Sequence, residues 1–118
     1  MRLLILFPLL CFAFLAWGQS LEELIDSNNI YKEAGEYSKA LPYAEQIIRF
    51  VEKEVGKDNE SYGYALHNLA FILSNLEQYE RAITHYLDAL NNAEKYLGKD
   101  QPIYVTRVNN LAWLYEKT

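Results

Sequence analysis

Two histidines are the side chains of this sequence whose ordinary pKa lies nearest to neutral pH. His67 and His85 lie eighteen positions apart on different predicted helices and do not form a metal-binding pair. The five glycines form no phosphate-binding loop, and no order of Ser, His and Asp indicates a nucleophile. The sequence therefore predicts no catalytic residue, no cofactor and no metal site.

Amide and aromatic side chains recur with the spacing of one helix face in two segments. The first stripe is Tyr64, His67, Asn68, Phe71, Ser74 and Asn75, and the second is Thr106, Asn109, Asn110, Trp113, Glu116 and Lys117. An amide can pair with both groups of an extended peptide backbone, and an aromatic ring beside it offers an apolar seat. The candidate peptide-binding residues are Tyr64, His67, Asn68, Phe71, Asn75, Asn109, Asn110, Trp113 and Lys117.

A repeat of 42 residues organises the helices that carry these stripes. Eleven of the 34 positions from 37 to 70 are identical to the residue 42 positions later. Average composition would give about two such matches. The identities include Gly56-Lys57-Asp58 with Gly98-Lys99-Asp100, and Asn68-Leu69-Ala70 with Asn110-Leu111-Ala112. The sequence therefore contains an internal structural repeat.

Apolar residues within each repeat follow the helical spacing i, i+3, i+4, i+7. Helix breaks are predicted at Ala34-Gly35-Glu36 and at the two Gly-Lys-Asp segments, and Pro102 is predicted to open the last helix. We predict an all-α protein with helices near 20–33, 37–55, 60–76, 79–97 and 102–117. Pro42 is predicted to bend its helix slightly without breaking it, because it lies near the helix start.

The sequence resembles the tetratricopeptide repeat in the spacing of its small and large residues. The second copy reads Asn68-Leu69-Ala70, Leu73, Tyr79, Ala82, Tyr86 and Ala89; the first reads Tyr31, Gly35, Tyr37, Ala40 and Ile47. The 42-residue period most resembles the long-helix variety of kinesin light chains. The resemblance implies an α-α superhelix, a solenoid of about two and a half repeats: 20–57, 60–99 and the start of a third at 102–118.

The resemblance also implies where a ligand would bind. In such arrays the first helix of each pair lines the concave face, and relatives similar to kinesin light chains hold a peptide with the repeated asparagine, here Asn68 and Asn110. The alternative is that these asparagines only bridge neighbouring helices. Ser27 and Asn28 depart from the pattern, and we expect a solvated N-terminal cap there rather than a ligand contact.

The first eighteen residues have the layout of a secretory signal peptide. Arg2 precedes an apolar run from 3 to 17, and the small residues Ala16 and Gly18 would precede a cut before Gln19. A retained membrane anchor is the alternative, although the run is shorter than the roughly 20 residues of a spanning helix. We therefore expect a secreted or periplasmic protein, with an array from 19 to 118 and no stable membrane insertion after cleavage.

Charge and cysteine content limit the classes of partner. Removing Arg2 with the signal leaves 10 basic and 16 acidic residues, a net charge of −6, which disfavours nucleic acid. Cys11, the sole cysteine, lies within the signal, so the mature chain has no disulfide and no thiolate. A protein or peptide ligand is the predicted partner.

The last predicted helix keeps apolar residues that would receive another helix. Leu111, Ala112 and Tyr115 lie where a terminal cap would be polar. We expect the array to continue, or helix 102–117 to mediate self-association. Three functions remain open. One is a peptide-binding scaffold that is not an enzyme, and another is the recruiting front of a larger exported enzyme or sensor, such as a caspase-like peptidase or sensor kinase. A purely structural bundle is a third.

Overall fold

The computed structural model describes residues 18–118, and the predicted signal segment lies outside them except for Gly18. Five α-helices make up the described part of the chain, and no strand occurs in it. They are α1 Leu21–Glu33, α2 Tyr37–Glu54, α3 Glu60–Asn75, α4 Tyr79–Tyr96 and α5 Pro102–Lys117. The predicted five helices and the all-α solenoid are confirmed.

Side-chain caps define the starts of α1 and α3. Ser20 and Glu23 form a reciprocal capping box at α1. Asn59 accepts a hydrogen bond from the backbone N–H of Tyr62 at the start of α3, and its Nδ2 donates to the carbonyl of Gly56 at 2.7 Å. Pro42 lies inside α2, which continues unbroken to Glu54. The expectation that this proline would not break the helix is confirmed.

The 42-residue period recurs in the backbone geometry. Glu36 has φ −91° and ψ 65° before α2, and Gln78 has φ −87° and ψ 65° before α4. After the same helices, Val55 has φ −115° and ψ −30°, and Leu97 has φ −116° and ψ −32°. Because both helix ends repeat, α1–α2 and α3–α4 are two copies of one helical hairpin.

Small residues allow the helices to pack closely. Ala70, Ala82 and Ala89 are completely buried, as predicted from their positions in the repeat. The larger of two core clusters joins α2, α3, α4 and α5 around Leu69, Leu73 and Tyr86. The smaller cluster joins α1, α2 and α3 around Leu24, Ile47 and Val51. Extensive packing joins each helix to the next one in the chain, as in a stacked array.

One face of α5 is uncovered. Val108 is 39% and Tyr115 55% exposed, and Ala112 is exposed as well. The residues 42 positions earlier, Leu66, Ala70 and Leu73, are at most 2% exposed because α4 covers them. On α5 the opposite side, with Leu111 and Leu114, is buried against the core. The expectation that Leu111 would receive another helix is therefore wrong, whereas Ala112 and Tyr115 are exposed. No helix within residues 18–118 is long and apolar enough to cross a bilayer.

Candidate functional site: a groove between the first helices of the repeats

A groove opens between α1 and α3, and α2 forms its floor. The groove holds a cavity of about 370 Å³ that is open to solvent. Its apolar lining comes from Leu21, Ile25, Ile47, Val51 and Ala65. Its polar lining comes from Asn28, Asn29, Lys32, Ser61, Tyr64 and Asn68. We call this surface the α1–α3 groove. Two predicted site residues, Tyr64 and Asn68, line it.

Three polar side chains form a cluster at one end of the α1–α3 groove. The amides of Asn28 and Asn68 exchange two hydrogen bonds, at 3.3 and 3.1 Å. Lys32 Nζ donates to the same Asn68 Oδ1 at 3.1 Å. Through these contacts Asn68 bridges α1 and α3.

The expectation of a solvated cap at Asn28 is wrong. Asn28 is 2% exposed, and its amide is paired with that of Asn68. A buried amide is stable only with its hydrogen bonds made, and the partner needed here lies forty positions away in sequence. Ser27 beside it is partly exposed.

His67 faces α4 and α5 rather than an open groove. Its Nδ1 accepts a hydrogen bond from Arg107 Nε at 3.2 Å, and its ring meets Tyr86 edge-on at 5.4 Å between centroids. Burial, reinforced by the positive charges of Arg107 and Lys32, lowers the pKa of His67 to about 4. His67 is therefore neutral at physiological pH and acts there as an acceptor.

Arg107 is the residue that sequence reasoning missed. It is fully buried, donates from Nη1 to the carbonyl of Ala89 at 2.6 Å, and lies 5.4 Å from the centroid of the Tyr64 ring. Its Nη2 has no hydrogen-bond partner among the described residues. Burial lowers the pKa of Arg107. The available signal was the repeat itself, since the residue 42 positions earlier is the small Ala65.

The second predicted amide is also engaged within the protein. Asn110 Nδ2 donates to the hydroxyl of Tyr86 at 3.2 Å. Tyr86 is 1% exposed, and its burial raises the pKa of the phenol to about 12. Asn110 thus links α5 to α4, as Asn68 links α3 to α1.

The two large aromatics of the predicted stripes remain partly exposed. Phe71 is 36% and Trp113 is 45% exposed. Phe71 meets Tyr37 edge-on, and Trp113 meets Tyr79 in the same way, with centroids 6.0 and 5.9 Å apart. Because the two pairs lie 42 positions apart, each repeat forms the same edge-on contact between an exposed aromatic ring and a tyrosine.

The remaining predicted residues lie at the edges of these stripes. Asn75 donates to the carbonyl of Phe71 in its own helix at 2.9 Å, and Asn109 is exposed. The ammonium of Lys117 lies 5.2 Å from the centroid of Trp113. Of the nine predicted residues, the structure brings Tyr64 and Asn68 into one groove with α1. It does not place the others in that cavity.

Part of the chain matches a known sequence family. Residues 61–118 match the tetratricopeptide repeat. A comparison with curated proteins found no match for the chain. Tetratricopeptide repeats generally mediate protein–protein interactions and are generally not enzymes. Within the described residues, no group of three His, Cys, Asp or Glu side chains is arranged to hold a metal ion.

Proposed function

We propose that this tetratricopeptide repeat protein binds a segment of another polypeptide along the face formed by α1, α3 and α5. The observation that carries the proposal is the α1–α3 groove, a cavity of about 370 Å³ with mixed apolar and amide lining. Binding sites of this kind are concave, mostly apolar and supplied with a few polar groups that orient the ligand. A scaffold or adaptor protein needs such a surface and no catalytic group.

Exposed aromatics extend the proposed surface. Tyr64 is 49% and Trp113 45% exposed, whereas Asn68 and Asn110 already bond within the protein. An exposed ring loses water when a ligand side chain packs on it, so it contributes affinity. We therefore assign anchoring to the aromatic residues. The two asparagines mainly hold the helices in position.

A display library of random twelve-residue segments tests the proposed function. Each segment is flanked by constant sequence on both sides, and the purified full chain is the bait. We expect Tyr64→Ala and Trp113→Ala each to weaken binding of the captured segments by about tenfold. The control is Leu87→Ala, which removes a side chain that is 40% exposed on α4. Failure to enrich any segment, or equal losses in the control, would rule out the proposal.

We propose in addition that the protein acts outside the cytoplasm. Support comes from the sequence alone, from Arg2, the apolar run and the small residues before Gln19. Mass spectrometry of the protein from the extracellular or periplasmic fraction tests this. A mature N-terminus at Gln19 is the expected result, and an intact Met1 in the cytoplasmic fraction would contradict it.

The 42-residue period supports our assignment to the long-helix variety that resembles kinesin light chains. The lengths of α2 and α4, 18 residues each, are in keeping with such long units. A second candidate function is the recruiting part of a larger exported enzyme or sensor. The uncovered face of α5, with Val108 and Tyr115, favours it because another helix could pack there.

The mass of the native protein distinguishes two ways in which the exposed face of α5 could be covered. A further helix of a longer chain, or a second copy, would each cover Val108 and Tyr115. The full-length mass of the protein purified from its source separates the longer chain from a self-associated one. A monomer that ends at Thr118 and binds no hydrophobic dye would exclude both.

A further inference from the structure

The α1–α3 groove is positively charged at one end, although the protein carries a net charge of −5. Lys32 lies in its lining, and the buried Arg107 contacts His67 and the ring of Tyr64, which also lines the groove. The four ion pairs among the described residues involve Lys39, Lys57, Arg81 and Lys99 instead. Neither Lys32 nor Arg107 therefore has a carboxylate partner within the described part of the chain.

Only one of these two cations can reach a ligand. Arg107 is 0% exposed and stacked under Tyr64, so it contributes to the electrostatic potential alone. Lys32 is partly exposed, and its ammonium makes one hydrogen bond to a neutral amide, Asn68. An ammonium has three donors, so two remain for a ligand in the groove.

Toward its other end the groove is mostly aliphatic. Its lining there comes from Ile25 of α1, Ile47 and Val51 of α2 and Ala65 of α3, with Ser61 as a polar neighbour. From Leu21 to Lys32 the groove follows about 16 Å of helix, at 1.5 Å per residue. An extended chain covers that length with about five residues, at about 3.3 Å each.

We propose that the α1–α3 groove binds an extended polypeptide segment with an Asp or Glu side chain at Lys32 and aliphatic side chains at Ile25, Ile47 and Val51. This inference rests on the proposed function and specifies its ligand. Charge complementarity carries it, because a carboxylate supplies the partner that Lys32 lacks among the described residues. In the ligand, the acidic residue and the aliphatic residues lie three to five positions apart, because the groove has that length.

The test compares acid-containing segments from the display library with matched amide versions. Each captured segment is resynthesised with its Asp or Glu, and again with Asn or Gln at that position. On the unaltered protein we expect the acidic version to bind about tenfold more tightly. The Lys32→Gln variant should bind the two versions equally, and the Lys32→Arg variant should again prefer the acidic version.

Controls separate this inference from the proposed function and from misfolding. Lys99→Gln removes a positive charge whose side chain is 63% exposed, and it should leave the preference unchanged. Equal binding of the amide version to Lys32→Gln and to the unaltered protein would show that the groove is intact. Capture of segments with no acid preference would overturn the inference and keep the proposed function. Failure to capture any segment would overturn both.

A second library with free carboxyl termini examines the source of the carboxylate. Segments bound only through a terminal carboxylate would overturn the assignment to an internal Asp or Glu. Equal capture with the terminus blocked by an amide supports it.

Discussion

Arg107 joins three helices through its hydrogen bonds and its bulk. It contacts His67 and Tyr64 on α3 and the carbonyl of Ala89 on α4 from its place on α5. Because no carboxylate neutralises it among the described residues, its charge opposes burial. We infer that Arg107 stabilises the junction mainly by filling space, with its charge held by neutral acceptors and one aromatic ring.

Two substitutions at this position separate bulk from charge. Arg107→Ala should lower the free energy of unfolding by roughly 2–4 kcal/mol, because it leaves a cavity between α3, α4 and α5. Arg107→Met fills most of that space and should recover at least half of the loss. Urea denaturation measures both. Equal losses for the two variants would show that the guanidinium, rather than its volume, holds the junction.

His67 makes stability depend on pH. Its pKa is about 4 in the folded protein, below the ordinary value of 6.5, so the unfolded chain takes up the proton first as pH falls. Stability from this group is fully present above about pH 6.5 and is lost as the pH falls toward 4. The loss between pH 7 and 4.5 should be roughly 2–3 kcal/mol. His67→Gln keeps an acceptor for Arg107 and should reduce this loss, whereas an unchanged pH profile would contradict the assignment.

Single residues were the least predictable part of the site. Asn28, Asn68 and Arg107 find their partners about forty positions away in sequence, and a periodic pattern does not specify which polar groups meet. Phe71 and Trp113 could be predicted as exposed, because their positions in the stripes are not core positions. The periodic pattern thus predicted the faces of the helices, and the pairings across them required the structure.

At the scale of elements, the turns of the two hairpins share one backbone conformation but carry different residues at its left-handed position. Gly35 has φ 73° in the first copy, and Glu77 has φ 62° in the second. The next residue in each turn donates back to the preceding helix, Glu36 to Tyr31 at 2.8 Å and Gln78 to Leu73 at 2.9 Å. Packing of the hairpin therefore holds a glutamate in the left-handed region, where a side chain is strained.

Exchanging these turn residues should change stability in opposite directions. Glu77→Gly removes the left-handed strain and should raise the free energy of unfolding by up to about 1 kcal/mol, after the added freedom of the unfolded chain is subtracted. Gly35→Ala introduces the strain and should lower it by about 1 kcal/mol. Thermal denaturation of both variants gives the comparison. A more stable Gly35→Ala variant would contradict this account of the turn.

The helices themselves could be predicted closely from the sequence. Their apolar periodicity is strong, and glycine or proline lies near three of the four breaks. The break at Glu77 has no glycine, but it lies 42 positions after Gly35, so the repeat accounts for its place. The exposure of Val108, Ala112 and Tyr115 depends on whether another helix covers α5, which the spacing of these residues does not determine.

At the scale of the whole molecule, stacking determines where a ligand can bind. Each helix packs mainly on the next one, so the first helices of the repeats lie side by side with the second helices behind them. The α1–α3 groove follows from that order, with α2 as its floor. The resemblance predicted a ligand surface on the first helices, with its residues on α3 and α5. That Asn28 and Lys32 of the irregular first copy line a cavity was not predicted.

Amide NMR of the isotope-labelled full chain, titrated with a captured segment, tests peptide binding in this groove most directly. We expect saturable shifts at Asn28, Lys32, Tyr64 and Asn68, with Leu87 on the far helix unmoved. Shifts confined to the outer surfaces of α2 and α4, with the α1–α3 groove unchanged, would contradict the proposed mode of binding.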